Sequence, residues 1–295
     1  MDSLSSRGEV DPCAGYHLCG SGMELLAVKC QLCPSRRWRG GGVMISVDFP
    51  QTRHVPLAGA QNFRDLGGYP TTSGRTRWGQ IYRADALTEL SVEDVASLLQ
   101  RGLSTVVDLR FDRELQERPN IFKEHATVKY HHNPVLIEDP AARGAAESIR
   151  TLDFRAFNVS MIKNSSPTFA YLLHLLGQPS AYPLVFHCRG GRDRTGVAAA
   201  LVLTAAGVAR EYVVQDYILS NEYLTELMDK MSEAFRRQGI DPVPILENLR
   251  LREEYLAPML DTLEAEFGGI DGYLQSIGVT SDELTVFRSH FHVEF

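Results

Sequence analysis

Apolar residues recur at two different spacings along most of this chain, and each spacing predicts a different element. Residues 91–102 repeat apolar side chains at helical spacing, with Ser91 and Asp94 in a capping-box pattern and Gly102 at the end. Short β-branched or apolar runs predict buried strands. We predict strands at 80–83, 104–109, 128–135 and 183–187, and further helices at 167–176 and 195–206. Because strands and helices alternate, this part predicts an α/β fold with a mostly parallel sheet.

The chain beyond Ala209 changes character, because its apolar spacing is helical throughout. We predict helices at 210–220, 223–237, 253–267, 272–277 and 281–290, with Asp241-Pro242-Val243-Pro244 interrupting the series. The stretch from Thr225 to Arg252 is charged, amphipathic and punctuated, which favours a mobile cover. An ordinary helical subdomain is the alternative.

Residues 1–43 lack this apolar spacing and mix serine, glycine, cysteine and arginine. Four of the five cysteines lie here, but only Cys30-x-x-Cys33 has the spacing of a zinc-ligand pair. We therefore favour a disordered leader over a zinc knuckle. Another interpretation is that translation begins at Met44 and the leader is not natural protein. The folded domain is expected over residues 44–295.

Composition and charge narrow the range of partners. The 295 residues carry a formal net charge of −7, which argues against nucleic acid as the main partner. The most apolar run, 196–209, is shorter than the roughly 20 residues of a membrane span, so we expect no integral membrane association. No signal peptide is recognisable, so we expect a cytoplasmic location and leave open secretion by another route. The sequence predicts no particular oligomeric state.

The chemistry is concentrated in the segment His187-Cys188-Arg189-Gly190-Gly191-Arg192-Asp193-Arg194-Thr195-Gly196, between a predicted strand and a predicted helix. A tight loop at such a junction points backbone N–H groups at one spot, with a helix N-terminus behind them, and this arrangement binds phosphate. Gly190 and Gly191 allow the unusual backbone angles of such a loop. The planar guanidinium of Arg194 can donate two parallel hydrogen bonds to the phosphate.

Cys188 stands far from the other cysteines and is the nucleophile candidate. Positive neighbours and a helix N-terminus lower the pKa of a thiol, and a thiolate can attack phosphorus to form a phosphocysteine. Arginine and backbone dipoles can stabilise the transition state, so we expect no metal and no cofactor. The alternative is a buried, inert cysteine. Thr195 could donate a hydrogen bond to the leaving sulfur, and His187 is expected to orient the loop.

Four further segments match a known pattern: Asn62-Phe63-Arg64-Asp65-Leu66-Gly67-Gly68-Tyr69, Tyr82-Arg83-Ala84-Asp85, Val107-Asp108-Leu109-Arg110 and Asp216-Tyr217-Ile218-Leu219-Ser220-Asn221. With the Cys-x5-Arg loop they resemble the bacterial tyrosine phosphatase family of the protein tyrosine phosphatase superfamily, over residues 50–290. The resemblance implies a central, mostly parallel sheet flanked by helices, with a C-terminal helical lid around residues 221–252. It implies hydrolysis of phosphotyrosine in proteins, often of phosphoserine or phosphothreonine, and of phosphoinositides in some members.

The resemblance also implies roles for the residues of the loop. The positions that would bind the phosphate of the substrate are Arg189, Gly190, Gly191, Arg192, Thr195 and Gly196. The family usually has lysine where Arg192 stands, so the charge is kept and the donor geometry changes. Basic residues at both Arg189 and Arg192 also resemble the loop of lipid phosphatases, which favours multiply phosphorylated substrates.

The leaving oxygen of a phosphate ester needs a proton, so a general acid is expected. Asp193 is the candidate that the resemblance supports, and Asp108, at the end of a predicted strand, is the alternative. Asp108 could instead form a salt bridge to an arginine of the loop. Arg64 and Asp65 are expected to line the pocket or brace the loop, unless they only form the turn into Gly67-Gly68.

Several classes of function compete. A cysteine-dependent protein tyrosine phosphatase is favoured, and a phosphoinositide phosphatase is its nearest alternative. A non-catalytic phosphate-binding module usually lacks the cysteine or the arginine of the loop, and both are present. A sulfur-transfer or arsenate-reducing enzyme also uses a cysteine on an anion-binding loop, but segments 62–69 and 216–221 argue against it.

Overall fold

The computed structural model of this chain describes residues 53–135 and 145–294, so the predictions for residues 1–43 lie outside the described residues. The strands are β1 (Arg64–Asp65), β2 (Gly74–Thr76), β3 (Ile81–Ala84), β4 (Thr105–Asp108), β5 (Lys129–His132), β6 (Leu184–His187) and β7 (His292–Glu294). The helices are α1 (Val92–Gln100), α2 (Asp112–Glu117), α3 (Ala145–Thr151), α4 (Phe154–Asn164), α5 (Ser166–Leu176), α6 (Asp193–Ala205), α7 (Arg210–Tyr223), α8 (Thr225–Arg237), α9 (Val243–Leu249), α10 (Glu253–Phe267), α11 (Ile270–Ser276) and α12 (Ser281–Phe291).

Five strands form the central sheet, in the spatial order β1-β3-β6-β4-β5. Four of them, β3, β6, β4 and β5, run parallel to one another, and β1 runs antiparallel to its neighbour β3. The strands β2 and β7 pair with each other in an antiparallel ribbon. The prediction of an α/β fold with a central, mostly parallel sheet flanked by helices is confirmed.

The register of the sheet brings the carboxyl ends of its parallel strands to one edge. Ala84, His187 and Asp108 lie side by side at the last positions of β3, β6 and β4, and His132 lies beside Asp108 on β5. The loops that leave these strands therefore start next to one another, where ligands gather in open α/β sheets. Cys188 is the first residue of the central one of these loops.

The centre of the core is formed by β6 and α6. Every residue of β6 is buried, as expected for a parallel strand that is covered on both faces. Most of α6 is also buried, because it packs against the sheet and against α7 and α11. Gly196 allows α7 to approach closely, since a Cβ at this position would lie 2.9 Å from the ring of Tyr217. This packing fixes where α6 starts, and with it the end of the loop that precedes it.

Several elements differ from the sequence predictions. The helix predicted from Thr195 begins at Asp193, so Asp193 and Arg194 belong to the first turn of α6. The chain beyond Ala209 is not all helical, because β7 follows α12. The apolar spacing also did not predict β1, β2, α2, α3, α4 and α9. Strands of two or three residues are too short to show a period, and α2 is polar, with only Glu114 buried.

The predicted cover, residues 221–252, comprises the end of α7, the whole of α8 and α9, and the turns around them. The segment Asp241-Pro242-Val243-Pro244 separates the two helices, and its prolines lie at the start of α9. α8 contacts α7 and α9, while α9 packs against α3. Movement of this cover stays a prediction. No helix in residues 53–135 or 145–294 is long and apolar enough to span a membrane.

Candidate active site

The loop that starts at Cys188 joins the end of β6 to the N-terminus of α6, as the sequence predicts. Cys188 is a free cysteine that is only 2% exposed, so its side chain lies below the surface. α6 is 13 residues long, and the N–H groups of its first turn have no partner within the helix. The helix N-terminus therefore favours negative charge at the loop.

The first two carbonyl groups of the loop are held by partners outside it. His187 Nδ1 lies 3.1 Å from the carbonyl oxygen of Cys188, and because a carbonyl oxygen can only accept, this nitrogen is the donor. The backbone N–H of Ala86, just after β3, donates to the carbonyl oxygen of Arg189 at 3.0 Å. His187 thus makes a hydrogen bond to the loop backbone, and its role in orienting the loop stays a prediction.

The next two carbonyl groups are held by buried side chains. Asn62 Nδ2 donates to the carbonyl oxygen of Gly190 at 3.2 Å and to that of Gly191 at 3.0 Å. Arg83 Nη2 also donates to the carbonyl oxygen of Gly191, at 2.7 Å. Both donors come from the segment that contains β1 and β3, next to the loop.

These five hydrogen bonds to four carbonyl groups orient the N–H groups of the loop. In a planar trans peptide the N–H points in the direction opposite to the C=O. Because the carbonyl groups of residues 188–191 are bound on the outside, the N–H groups of residues 189–192 point away from these partners. Together with the first turn of α6 they form a set of donors suited to an anion.

The two loop glycines differ in their backbone conformation and in the space around them. Gly191 has φ +62°, and a Cβ at this position would lie 2.6 Å from the backbone oxygen of Ala84. Glycine is the residue that satisfies both constraints. Gly190 is not among the glycines with positive φ, and a Cβ there would meet no atom within 4 Å. A small side chain is therefore sterically compatible with position 190.

Arg194 is held by a carboxylate that the sequence analysis did not identify. Its Nη1 and Nη2 donate to Oε2 and Oε1 of Glu114, on α2, at 2.5 and 2.9 Å. The centre of the Phe111 ring lies 4.5 Å from Arg194 Cζ. Glu114 binds the outer edge of the guanidinium, so Nε–H, which has no hydrogen bond to the described residues, stays available to a phosphate.

Arg194 and Glu114 each favour the charged form of the other. Burial alone would lower the pKa of Arg194, but the charge of Cys188 and the Glu114 carboxylate raise this pKa above its ordinary value. Burial would also raise the pKa of Glu114, and the hydrogen bonds and charge of Arg194 lower it instead. Arg194 therefore stays a cation beside the loop, as binding of a phosphate requires.

The other charged side chains of the loop point in different directions. Arg192 is buried; its Nη2 lies 3.0 Å from Asp193 Oδ2, and its Nη1 donates to the carbonyl oxygen of Leu249 at 2.7 Å. The Arg192 Cζ also lies 5.2 Å from the centre of the Phe154 ring. Arg189 is exposed. Arg192 thus contacts the end of α9, in the predicted cover, and its binding to substrate stays a prediction.

Asp108 is fully buried, and its carboxylate is surrounded by donors. Arg110 Nη2 donates to its Oδ2 at 2.7 Å, and Asn120 Nδ2 and Tyr130 Oη donate to the same oxygen at 3.1 Å. His187 Nε2 lies 3.4 Å away. Burial alone would raise the pKa of Asp108, but His187 and Arg110 hold it well below its usual range. The salt bridge is made with Arg110 and not with an arginine of the loop, which corrects that alternative.

Arg64 is fully buried and supports the loop through other side chains. Its Nε donates to Asp216 Oδ1 at 3.1 Å, and its Nη1 donates to the side-chain oxygen of Asn62. Asp216 also accepts from Arg83 Nη1 at 2.5 Å. Burial would raise the pKa of Asp216, but the two guanidinium groups hold it well below its usual range. Asp216 therefore anchors both side chains that reach the loop carbonyls, directly for Arg83 and through Arg64 for Asn62.

Asp65 makes the hydrogen bonds of a turn. Its Oδ1 accepts from the N–H of Gly67 and its Oδ2 accepts from the N–H of Gly79, each at 2.7 Å. Burial raises the pKa of this carboxyl to about 6. These contacts are those of the alternative in which Asp65 forms the turn into Gly67-Gly68.

Thr195 is fully buried, and its Oγ1 has no hydrogen-bond partner among the described residues. Buried hydroxyl groups normally have a partner, and an unmade hydrogen bond costs free energy. Because Thr195 lies in the first turn of α6, its hydroxyl is available to a group that occupies the loop. This is compatible with the predicted contact to the leaving sulfur.

The donors at this site are those of the protein backbone and of arginine. Groups of three or more His, Cys, Asp or Glu side chains that could hold a metal ion are absent from residues 53–135 and 145–294. The groups that could contact an anion are the N–H groups of residues 189–192, the start of α6 and Arg194 Nε.

From the sequence alone, no role was assigned to several residues that shape the site, among them Asn62, Arg83, Asp85, Glu114 and Asp216. Asp85 accepts from the backbone N–H groups of residues 61 and 62, at 3.0 Å each, and burial raises its pKa. Asn62, Asp85 and Asp216 stand in the segments that carry the family resemblance, which was the available signal. Glu114 had no such signal, because it lies 80 residues before Arg194 in a polar helix.

Comparison with known proteins identifies the family to which this chain belongs. The model of the tyrosine phosphatase family matches residues 55–293. The triple specificity protein phosphatase PtpB of Mycobacterium tuberculosis is 28% identical over 265 residues, which cover 76% of this chain and 94% of that protein. A tyrosine-protein phosphatase of Nostoc commune is 27% identical over 209 residues, covering 68% of this chain and 70% of that protein. The crystal structure of P. aeruginosa TpbA covers 57% of this chain and 84% of its own at 16% identity, but its TM-score of 0.28 is too low to support an inference. Because the family match extends over the whole sheet and the loop that the sheet positions, this chain belongs to the tyrosine phosphatase family.

Proposed function

We propose that this protein tyrosine phosphatase works through a phosphocysteine on Cys188 and acts first on phosphotyrosine in proteins. The observation that carries the proposal is the convergence of donors on the loop. Four carbonyl groups are held on its outside, and Glu114 fixes Arg194 with Nε–H free. A phosphate monoester with nearly two negative charges matches such a set of donors.

The chemistry follows from this arrangement in two steps. The Cys188 thiolate attacks phosphorus, the S–P bond forms, and the bond from phosphorus to the tyrosine oxygen breaks as that oxygen receives a proton. Water then attacks the phosphocysteine, the S–P bond breaks and inorganic phosphate leaves, with the water proton passing to the general base. Arg194 and the loop N–H groups bind the phosphoryl oxygens in both steps.

Asp193 is the general acid that we propose. It lies in the first turn of α6, next to the loop, and its side chain is 25% exposed, although its carboxylate pairs with Arg192 in this structure. Asp108 is fully buried, and four neighbouring groups occupy its carboxylate. A carboxyl whose pKa is held well below its usual range is a poor proton donor at neutral pH, so Asp108 fits an orienting role.

The nucleophile is tested by hydrolysis of para-nitrophenyl phosphate in the presence of EDTA. We expect turnover by the wild type and none by Cys188→Ser, because the serine hydroxyl is a much weaker nucleophile at this pH. Trapping of a phosphorylated protein from the wild type, absent from the variant, would locate the intermediate. Equal rates for the two proteins would refute the proposal.

The general acid is tested by the effect of the leaving group. Asp193→Asn should lower kcat for phenyl phosphate by about 10²- to 10⁴-fold and should affect para-nitrophenyl phosphate much less, because para-nitrophenolate leaves without a proton. Asp108→Asn is the matched control, which should lower stability and leave the dependence on the leaving group unchanged. The reverse pattern would assign the acid to Asp108.

The choice of phosphotyrosine rests on the surroundings of Arg194. The partly exposed ring of Phe111 lies against Arg194 and offers an aromatic surface to a phenyl ring. The mycobacterial relative is named a triple specificity protein phosphatase, which supports more than one class of substrate. Phosphoinositides are the second candidate, because Arg189 is exposed on the loop and could meet a second phosphate.

A substrate panel distinguishes these candidates. It compares a phosphotyrosine peptide, a phosphoserine peptide and phosphoinositide vesicles, with wild type, Phe111→Ala and Arg189→Ala. We expect the phosphotyrosine peptide to be preferred and to depend on Phe111, with measurable lipid activity that depends on Arg189. Absence of activity on every lipid would remove the second candidate, and a preferred phosphoserine peptide would overturn the first.

A further inference from the structure

We infer that Asn62 is a positioning residue, which holds the Gly190-Gly191 part of the loop in its anion-binding conformation. The inference rests on the proposed function and concerns how that site is kept in shape. Asn62 would act through the backbone of the loop and would not touch the substrate. It is distinguished from its neighbours by bonding to two successive carbonyl groups of the loop with one side-chain nitrogen.

The orientation of the Asn62 side chain is completely determined. It is fully buried, and its Nδ2 uses its two protons on the carbonyl oxygens of Gly190 and Gly191. Its Oδ1 accepts from Arg64 Nη1. The backbone N–H of Asn62 donates to Asp85 Oδ1 at 3.0 Å, which fixes the main chain beneath the side chain. With every one of these groups paired, no alternative rotamer preserves the hydrogen bonds.

The loop needs such a support because two successive residues are glycine. Glycine lacks a Cβ, so the peptide group between Gly190 and Gly191 can rotate with little steric resistance. Rotation of this peptide would turn the N–H of Gly191 outward and point the carbonyl oxygen of Gly190 at the phosphate. The site would lose a donor and gain a repulsive dipole. By holding both carbonyl oxygens outside, Asn62 keeps the N–H groups of Gly191 and Arg192 directed at the anion.

The size of the expected effect follows from the donors that Asn62 controls. In enzymes that stabilise a developing oxyanion with hydrogen-bond donors, removing one donor lowers kcat by about 10²- to 10³-fold. Asn62 orients two such donors without being one, and Gly191 keeps a second support from Arg83. We therefore expect a 10- to 100-fold loss of kcat/KM and about 10-fold weaker binding of an oxyanion.

Two substitutions separate the donor from the rest of the side chain. Asn62→Ala removes all of its hydrogen bonds, while Asn62→Asp keeps the shape and the oxygen that accepts from Arg64 and removes the donor. Asn158 provides matched controls, because it is also fully buried and its Nδ2 also donates twice, to Tyr217 Oη and to the carbonyl oxygen of Tyr255. Asn158→Ala and Asn158→Asp reproduce the lost hydrogen bonds and the added charge away from the loop carbonyls.

The decisive measurement is binding of tungstate, a phosphate-like oxyanion, by calorimetry in a Cys188→Ser background, with urea unfolding to compare stabilities. Both Asn62 variants should bind tungstate about 10-fold more weakly, while both Asn158 variants stay within about 2-fold. Unchanged tungstate binding by Asn62→Ala overturns the inference, as does an Asn62→Asp protein that binds like its parent. If one Asn62 variant does not fold, the other carries the test. If neither folds while both Asn158 variants do, Asn62 has a structural role only and the inference fails.

Failure of this inference and failure of the proposed function give different results. If Cys188 is not the nucleophile, wild type and Cys188→Ser hydrolyse para-nitrophenyl phosphate equally, whatever tungstate binding shows. If the phosphatase mechanism holds and Asn62 does not position the loop, the wild type turns over, Cys188→Ser does not, and the Asn62 variants keep their kcat/KM and their affinity for tungstate.

Discussion

The pair formed by Glu114 and Arg194 allows a quantitative prediction. Glu114→Gln keeps the shape of the side chain but loses the charge and one of the two acceptors of the bidentate pair. Arg194 would then be held by a single hydrogen bond and by its contact with the ring of Phe111. The Arg194 side chain would then become ordered only when substrate binds, and its conformational entropy would be lost on binding.

The magnitude can be estimated from this loss of entropy. Ordering an arginine side chain costs about 1.5–2 kcal/mol, which corresponds to roughly 10- to 30-fold in kcat/KM. Glu114→Ala should lose more, because it leaves the guanidinium of Arg194, which is only 11% exposed, without a partner. We expect that variant to be destabilised by about 2–3 kcal/mol.

The assay is kcat/KM for para-nitrophenyl phosphate, with urea unfolding as the measure of stability. Glu117→Gln is the matched control, because Glu117 lies on the same helix and makes a half-exposed pair with Arg113. That control should keep both quantities, since exposed pairs contribute little. In a double-mutant cycle with Arg194→Lys, the effect of Glu114→Gln should largely disappear. A Glu114→Gln enzyme with wild-type kcat/KM, or a loss that persists in full without Arg194, would refute the reasoning.

Three further predictions concern the loop and its supports. Gly191→Ala should abolish phosphatase activity, because residue 191 has a positive φ and a Cβ there would lie 2.6 Å from a backbone oxygen. Gly190→Ala should retain most of the activity, and comparable rates for the two variants would contradict this. Asp216→Asn should lower the free energy of unfolding by about 3–5 kcal/mol, since two buried guanidinium groups lose their counter-ion, while the exposed Asp261→Asn should change it little, as urea midpoints can show. Because burial raises the pKa of Asp65 to about 6, its ionisation opposes folding. The free energy of unfolding of the wild type, relative to that of Asp65→Asn, should therefore fall by about 2–3 kcal/mol as the pH rises from about 4 to about 6.5. A difference independent of pH would contradict the assignment.

Local patterns in the sequence predicted the elements that carry the loop. The apolar run at 183–187 and the apolar helix that follows are β6 and α6, because a strand and a helix buried on all sides need apolar side chains at nearly every position. The capping box of Ser91 and Asp94 is present at the start of α1, since both of its hydrogen bonds join residues three apart. Cys188 and Arg194 could be singled out for the same reason, as six residues separate them and both belong to one turn of chain.

Contacts between distant parts of the chain could not be predicted in this way. Asn62 lies 128 residues before Gly190, and Glu114 lies 80 residues before Arg194. Such pairs meet because the parallel register aligns Ala84, His187 and Asp108 at one edge of the sheet. No periodicity of the sequence encodes that alignment, because it results from the packing of the whole sheet.

The direction of the charged side chains was decided by the tertiary structure as well. The sequence alone determined that a cysteine and an arginine stand six residues apart on a loop between a buried strand and a buried helix, because these properties are local. It left open whether Asp108 pairs with an arginine of the loop, and the family resemblance implied that Arg192 binds the substrate. In the fold, Asp108 pairs with Arg110, and Arg192 pairs with Asp193 and the end of α9. A buried charge takes whichever partner the packing places within reach, since leaving it unpaired would cost several kcal/mol.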